Sequence, residues 1–339
     1  MLGELPLDKL VTHSFDGLDK VSDLVHTMHE GNCLRGVVNI NSHESLLPAD
    51  DIKVISTVKS CGGFIKTVEH WSRVNDCKMT FSIFLPEDRV ERQRREPYPA
   101  IYFCSGLTCT HENATSKMNY ARQCKKHGVV MVMPDTSPRG VDAACPDASN
   151  SDWTIGYGAG HYCNATQAPW NKHFNMYTYI TEELPSVVER YFHVDTERRS
   201  IMGFSMGGNG ALICAAKQPE RYRSVTALAP ISRPTQSEFF CGSALTAYFG
   251  SPEAAKDYSI SDILNEKGRA LKLPPGYVDV GSRDQFMQHL MIPELIKSLN
   301  ENGHGNFPVN YHEDYNHSFY FINEVIEDHI DFHAAHLNR

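Results

Sequence analysis

The sequence predicts an α/β protein with a mostly parallel sheet and helices on both faces. Three observations predict it. Short apolar runs alternate with longer helix-periodic segments from about residue 97 onward. Several of these runs are continuously apolar, as strands buried on both faces are. One strand passes straight into a small-residue helix through a glycine-flanked turn, which is the junction of a βαβ unit.

The elements follow in order. Residues 63–67 and 79–85 read as hairpin strands at one edge. Ala100-Ile101-Tyr102-Phe103-Cys104 follows Pro99 and is a buried strand. Helical spacing over 117–126 leads to Val129-Val130-Met131-Val132-Met133, which Pro134-Asp135 stops. An amphipathic stretch covers 176–191. Ser200-Ile201-Met202-Gly203 is a short strand, 207–217 a helix and 224–228 the next strand. Residues 277–280 and 309–312 are strands flanking a helix near 286–300, and a final helix carries His329, His333 and His336.

The first 55 residues are set apart as an amino-terminal extension, leaving 56–339 as one α/β domain. In the extension, Leu10, Val11, Phe15, Leu18, Val21, Leu24, Val25 and Met28 recur mostly at three- and four-residue steps. That spacing predicts one face of an amphipathic helix, weakened by Gly17.

Composition excludes several partners. The 339 residues carry a net charge of −9, unsuited to a nucleic-acid backbone. No apolar run reaches the roughly 20 residues that cross a bilayer. The first residues hold Glu4, Asp8, Asp16 and Asp19, unlike a secretory leader, so a cytoplasmic protein is expected. The ten cysteines form no C-x-x-C pair, so neither a metal site nor a disulfide framework is expected. Three glycosylation sequons, at Asn113, Asn164 and Asn316, are read as chance matches.

Gly203-Phe204-Ser205-Met206-Gly207 is G-x-S-x-G between a strand and a helix. Such a turn holds the serine hydroxyl proud of the sheet and sets the next amide at a helix N-terminus. The competing reading is a turn whose serine caps the helix. A serine nucleophile needs a base, and the base needs an orienting acid, each after a later strand. Asp284 follows strand 277–280, and His317 follows strand 309–312. Asp279 lies inside a strand and is the weaker acid candidate. His304 and His312 precede or lie within the last strand, and His173 and His193 precede the serine. Ser105-Gly106-Leu107-Thr108-Cys109-Thr110 follows strand 100–104. Its Leu107 amide can join that of Met206 in an oxyanion hole.

Six blocks then carry a resemblance. They are Ser105 to Thr110, Pro134 to Gly140, Thr181-Glu182-Glu183-Leu184-Pro185, Ser205-Met206-Gly207-Gly208, Asp284-Gln285-Phe286 and His317-Ser318-Phe319-Tyr320-Phe321. Together they resemble S-formylglutathione hydrolase, the esterase D family, over about residues 58–339. The resemblance implies an α/β-hydrolase fold. It implies a cytosolic, cofactor-free serine hydrolase that splits S-formylglutathione into glutathione and formate, a step of formaldehyde detoxification. Activity on small carboxylic esters is implied too, and so is a homodimer, the frequent family state. The family's triad falls on Ser205, Asp284 and His317, its oxyanion amides on Leu107 and Met206, and a thiol near the site on Cys109. Phe204 and Asn209 stand where histidine is common, Asn164 and Asn316 where an acid is, and Arg283 replaces an acid beside Asp284. These departures make a carboxylesterase without strict glutathione specificity the alternative. A scaffold on a retired hydrolase fold is opposed by the intact triad.

Overall fold

A computed structural model describes residues 13–16, 36–39, 52–87, 96–139 and 152–338. The chain divides into two compact units, Met1–Asp51 and Ile52–Arg339. In the first, strands β1 (His13–Asp16) and β2 (Gly36–Asn39) pair in parallel. Phe15 of the expected helix face is therefore in a strand. The rest of that face, from Leu18 to Met28 and at Leu10 and Val11, lies outside the described residues.

The second unit holds a nine-stranded sheet. Its strands are β3 (Ile52–Ser60), β4 (Gly63–Ser72), β5 (Cys77–Leu85), β6 (Tyr98–Cys104), β7 (Val130–Pro134), β8 (Val194–Phe204), β9 (Val225–Leu228), β10 (Gly276–Gly281) and β11 (Val309–His312). Their order is β11-β10-β9-β8-β6-β7-β5-β4-β3. The six strands from β11 to β7 are parallel, and β5, β4 and β3 add an antiparallel edge. The continuous apolar runs have their cause here. Every residue of β6, β7 and β9 is buried, because these strands sit mid-sheet with both faces covered.

The covering helices are α1 (His111–Lys117), α2 (Ala121–His127), α3 (Leu184–Phe192), α4 (Met206–Lys217), α5 (Glu238–Phe249), α6 (Ile260–Lys267), α7 (Ile292–Glu301) and α8 (Phe319–Leu337). The helix α8 packs on β6, β8 and β9 and against α2, while α4 packs on the same three strands and against α6. The strand period of two separates the faces. Ser224 and Thr226 both meet His333 of α8, whereas Val225 and Ala227 point the other way.

Three local differences have physical causes. The stretch over 117–126 is two helices, broken at Met118, whose extended backbone ends α1. The amphipathic stretch 176–191 passes through a π-type segment, Tyr179–Glu183, before α3. The short strand at 200–203 is an eleven-residue strand, extended downward by pairing with Tyr98 and Ala100 of β6.

Candidate active site

Ser205 ends β8 and starts α4 with φ 57° and ψ −117°. A non-glycine residue rarely adopts a positive φ, so the surroundings must hold it there. They do so through the backbone. The Ser205 amide donates to Leu228 O at 2.9 Å, and its carbonyl accepts from Gly208 at 3.0 Å and Ile231 at 3.1 Å. The glycines are steric requirements. A Cβ on Gly207 would lie 2.0 Å from Cys104 O, and one on Gly203 would lie 2.1 Å from Gly207 O. The serine side chain makes no capping hydrogen bond to α4, so the capping reading fails.

Asp284 and His317 follow the neighbouring strands β10 and β11. His317 Nδ1 lies 2.6 Å from Asp284 Oδ2. The other carboxylate oxygen accepts from the Phe286 amide at 2.8 Å, so the acid cannot swing away. The carboxylate side chain is wholly buried and the imidazole is 9% exposed. Gln285 Oε1 accepts from the His317 amide at 3.1 Å. Two rings frame the imidazole: Phe204 at 4.4 Å and Phe286, edge-on, at 5.3 Å. Phe204 adjoins Ser205 in the chain, which links the serine turn to the histidine loop.

Asp279, His312 and His173 are engaged elsewhere. Asp279 accepts from Asn310 Nδ2 at 2.8 Å and meets His329 Nε2 at 3.2 Å. Burial pushes its carboxyl up, but His329 and Asn310 outweigh burial and hold it below the usual range. His312 Nε2 also lies 3.2 Å from Asp279. His173 meets Asn75 O at 2.8 Å. Arg283 pairs with Asp314 at 2.6 Å on the surface, so its charge is spent away from Asp284. Asn164 ties Thr178 in place, and Asn209 ties α4 to Tyr258 and Ile260.

After β6 the chain makes a four-residue turn in which Cys109 N donates to Gly106 O at 3.3 Å. Gly106 sits against the serine: a Cβ there would lie 3.2 Å from Ser205 Cβ. The amides of Leu107 and Met206 donate to no acceptor among the described residues. For Met206 this is inherent, because the first amides of a helix have no intrahelical partner. Cys109 is 8% exposed, and burial pushes its thiol up. Its carbonyl is held by Thr136 Oγ1 and Arg139 Nη2, and Arg139 pairs with buried Asp135 at 2.9 Å.

Sequence reasoning missed two groups. One is an aromatic cluster beside His317, in which Phe286 meets Phe239 and Phe240, and Phe239 meets Trp153. The other is Tyr162, whose hydroxyl donates to Ser105 O at 2.9 Å. Neither leaves a spacing signal, since the partners lie 46 or more residues apart in most cases.

Known proteins share this framework. The family model described as "Putative esterase" matches residues 72–332. The chain is 40% identical over 85% of its length to S-formylglutathione hydrolase of Mus musculus, covering 99% of that protein. It is 39% identical over 84% of its length to that of Paracoccus denitrificans, covering 98%. The solved S-formylglutathione hydrolase from Agrobacterium tumefaciens superposes with a TM-score of 0.77 at 35% identity, over 84% of this chain and 99% of the other. The chain belongs to the S-formylglutathione hydrolase family.

Proposed function

We propose that the protein hydrolyses S-formylglutathione to glutathione and formate, with Ser205 as nucleophile, His317 as base and Asp284 as its orienting acid. One observation carries the reading. An uncapped serine held at φ 57° adjoins Phe204, whose ring lies 4.4 Å from the imidazole of a buried aspartate–histidine pair, and the Leu107 and Met206 amides have no acceptor among the described residues. Full-length relatives named for this activity support it.

The chemistry follows from the atoms. His317 Nε2 removes the hydroxyl proton as Ser205 Oγ adds to the formyl carbon. The carbonyl oxygen becomes an oxyanion, which the Leu107 and Met206 amides stabilise together with the N-terminal end of α4. The carbon–sulfur bond breaks, and the sulfur leaves with the proton from His317. Water then gives its proton to His317 and attacks the formyl-serine ester. Formate departs and Ser205 recovers its proton. Asp284 accepts from Nδ1–H throughout, so Nε2 starts each half-reaction as an acceptor. Neither a metal nor an organic cofactor enters a step.

The same site serves small carboxylic esters, and the aromatic rings beside His317 supply an apolar wall for them. A cytoplasmic location is part of this reading, because a glutathione thioester belongs to a reducing compartment and the described cysteines are free thiols. No helix among the described residues is long and apolar enough to cross a membrane. A homodimer is part of it too; β3 is an edge strand among the described residues, with Val54, Ile55 and Val58 exposed. Light scattering at micromolar protein measures the mass.

The test is Ser205→Ala. The variant keeps the wild-type melting curve and loses turnover of S-formylglutathione by about a million-fold, the scale of nucleophile loss in a triad. Substantial turnover by the pure variant would sink the assignment.

A further inference from the structure

Tyr162 touches both elements that carry the Leu107 and Met206 amides. Its ring lies against α4, where a Cβ on Gly210 would come within 2.6 Å of the ring atoms Cγ and Cδ2. Its hydroxyl reaches the loop after β6 and donates to Ser105 O at 2.9 Å. The residue is fully buried, so this hydroxyl does not meet substrate. We propose that Tyr162 is a positioning residue that sets the spacing between the Leu107 and Met206 amides. The proposal rests on the oxyanion roles argued above.

The geometry of the turn explains why the loop needs holding. In a trans peptide the N–H points opposite to the C=O. Gly106 O is turned toward Cys109 N, so the Leu107 N–H of the same peptide faces the other way. Thr108 occupies the third turn position with φ 65°, where a type II turn requires a positive φ and favours glycine. A β-branched residue is an outlier there and tends to relax. Two contacts resist relaxation. Thr108 N donates to Gly158 O at 2.9 Å, and Tyr162 holds Ser105 O. Gly158 approaches so closely that a Cβ would lie 2.8 Å from Thr108 Cα. Residues 158 and 162 lie in one short segment, so this segment grips the turn on both sides of the Leu107 amide. The Tyr162 ring then references that grip to the serine helix.

Tyr162→Phe keeps the ring on Gly210 and releases only the Ser105 carbonyl. The expected result is a fall in kcat for S-formylglutathione of about tenfold or more, with KM within about twofold, since the lost interaction acts only on the transition state. A trifluoromethyl ketone, whose serine adduct carries an oxyanion, binds more weakly by the same factor as kcat/KM falls. Inhibition by glutathione stays unchanged. A folded variant with wild-type kcat, or with reduced kcat and undiminished ketone binding, overturns the proposal. If Tyr162→Phe does not fold, Gly158→Ala disturbs the turn from its other side. It is expected to show the same kcat-specific loss, and full kcat in that variant overturns the proposal. Ser205→Ala, run in parallel, separates the two levels: turnover surviving there refutes the site itself, whereas its loss alongside an unaffected Tyr162→Phe refutes only the positioning role.

Discussion

Replacing Asp284 with Asn perturbs one proton and almost no volume. The Asn carbonyl can still accept from the Phe286 amide, a contact of 2.8 Å in the native protein. Its NH2 then faces His317 Nδ1, which lies 2.6 Å from Asp284 Oδ2. Two donors cannot share that contact, so Nδ1 becomes the acceptor and the imidazole proton moves to Nε2. The nitrogen that must take the serine proton is then blocked. The same exchange in a serine triad costs roughly 10⁴ in kcat, about 5 kcal/mol of barrier. Stability changes little, because shape and the second hydrogen bond persist. The assay is steady-state turnover of S-formylglutathione with a melting curve of each variant. Asp279→Asn is the control, expected to retain kcat while folded, since Asp279 is bound to Asn310 and His329. An Asp284→Asn variant with more than about a tenth of wild-type kcat would refute the reasoning.

Three further outcomes are expected. Thr108→Gly removes an exposed side chain from a residue at φ 65°, so relief of strain is expected to raise stability by about 1 kcal/mol in chemical denaturation. His161 is buried, and burial pushes its imidazole down to about 4. The unfolded chain takes up that proton below about pH 6.5 and the folded chain does not, so the group costs stability as pH falls from 6.5 toward 4. Wild type is therefore expected to lose about 2 kcal/mol more than His161→Gln between pH 7 and pH 5, measured by urea melts. Iodoacetamide at neutral pH is expected to alkylate exposed Cys61 well before Cys109, as peptide mass spectrometry resolves, because Cys109 is buried and its thiol is pushed up.

The parts legible in the sequence were those with local causes. A strand running into G-x-S-x-G and a small-residue helix has one steric solution, so the position of Ser205 could be read directly. Asp284 and His317 followed from chain order and from the strands preceding them. The parts that were not legible depend on packing. The helix α5 buries Phe240, Cys241, Ala244, Leu245, Tyr248 and Phe249, but its other face carries Phe239, Gly242, Ser243, Thr246 and Ala247 with Glu238 as its one charge, so the stripe has little contrast in the sequence. The full length of β8 rests on pairing with β6, which is a tertiary fact. The histidines of α8 read as final-helix residues, yet His329 and His333 join Thr226, Ser224 and Asp279 in a buried chain of hydrogen bonds. Tyr162 sits 57 residues from the carbonyl it holds, and no spacing rule reaches that far.

The central claim is that formyl transfer passes through Ser205. Rapid acid quench of the enzyme turning over S-formylglutathione, followed by peptide mass spectrometry, tests it most directly. The account predicts a formyl adduct on the peptide carrying Ser205, formed within one turnover, increased in the steady state when deacylation is slowed, and absent from Ser205→Ala. A formyl group found on another residue, or full-rate turnover with no adduct under conditions that trap one in a control serine esterase, would contradict it.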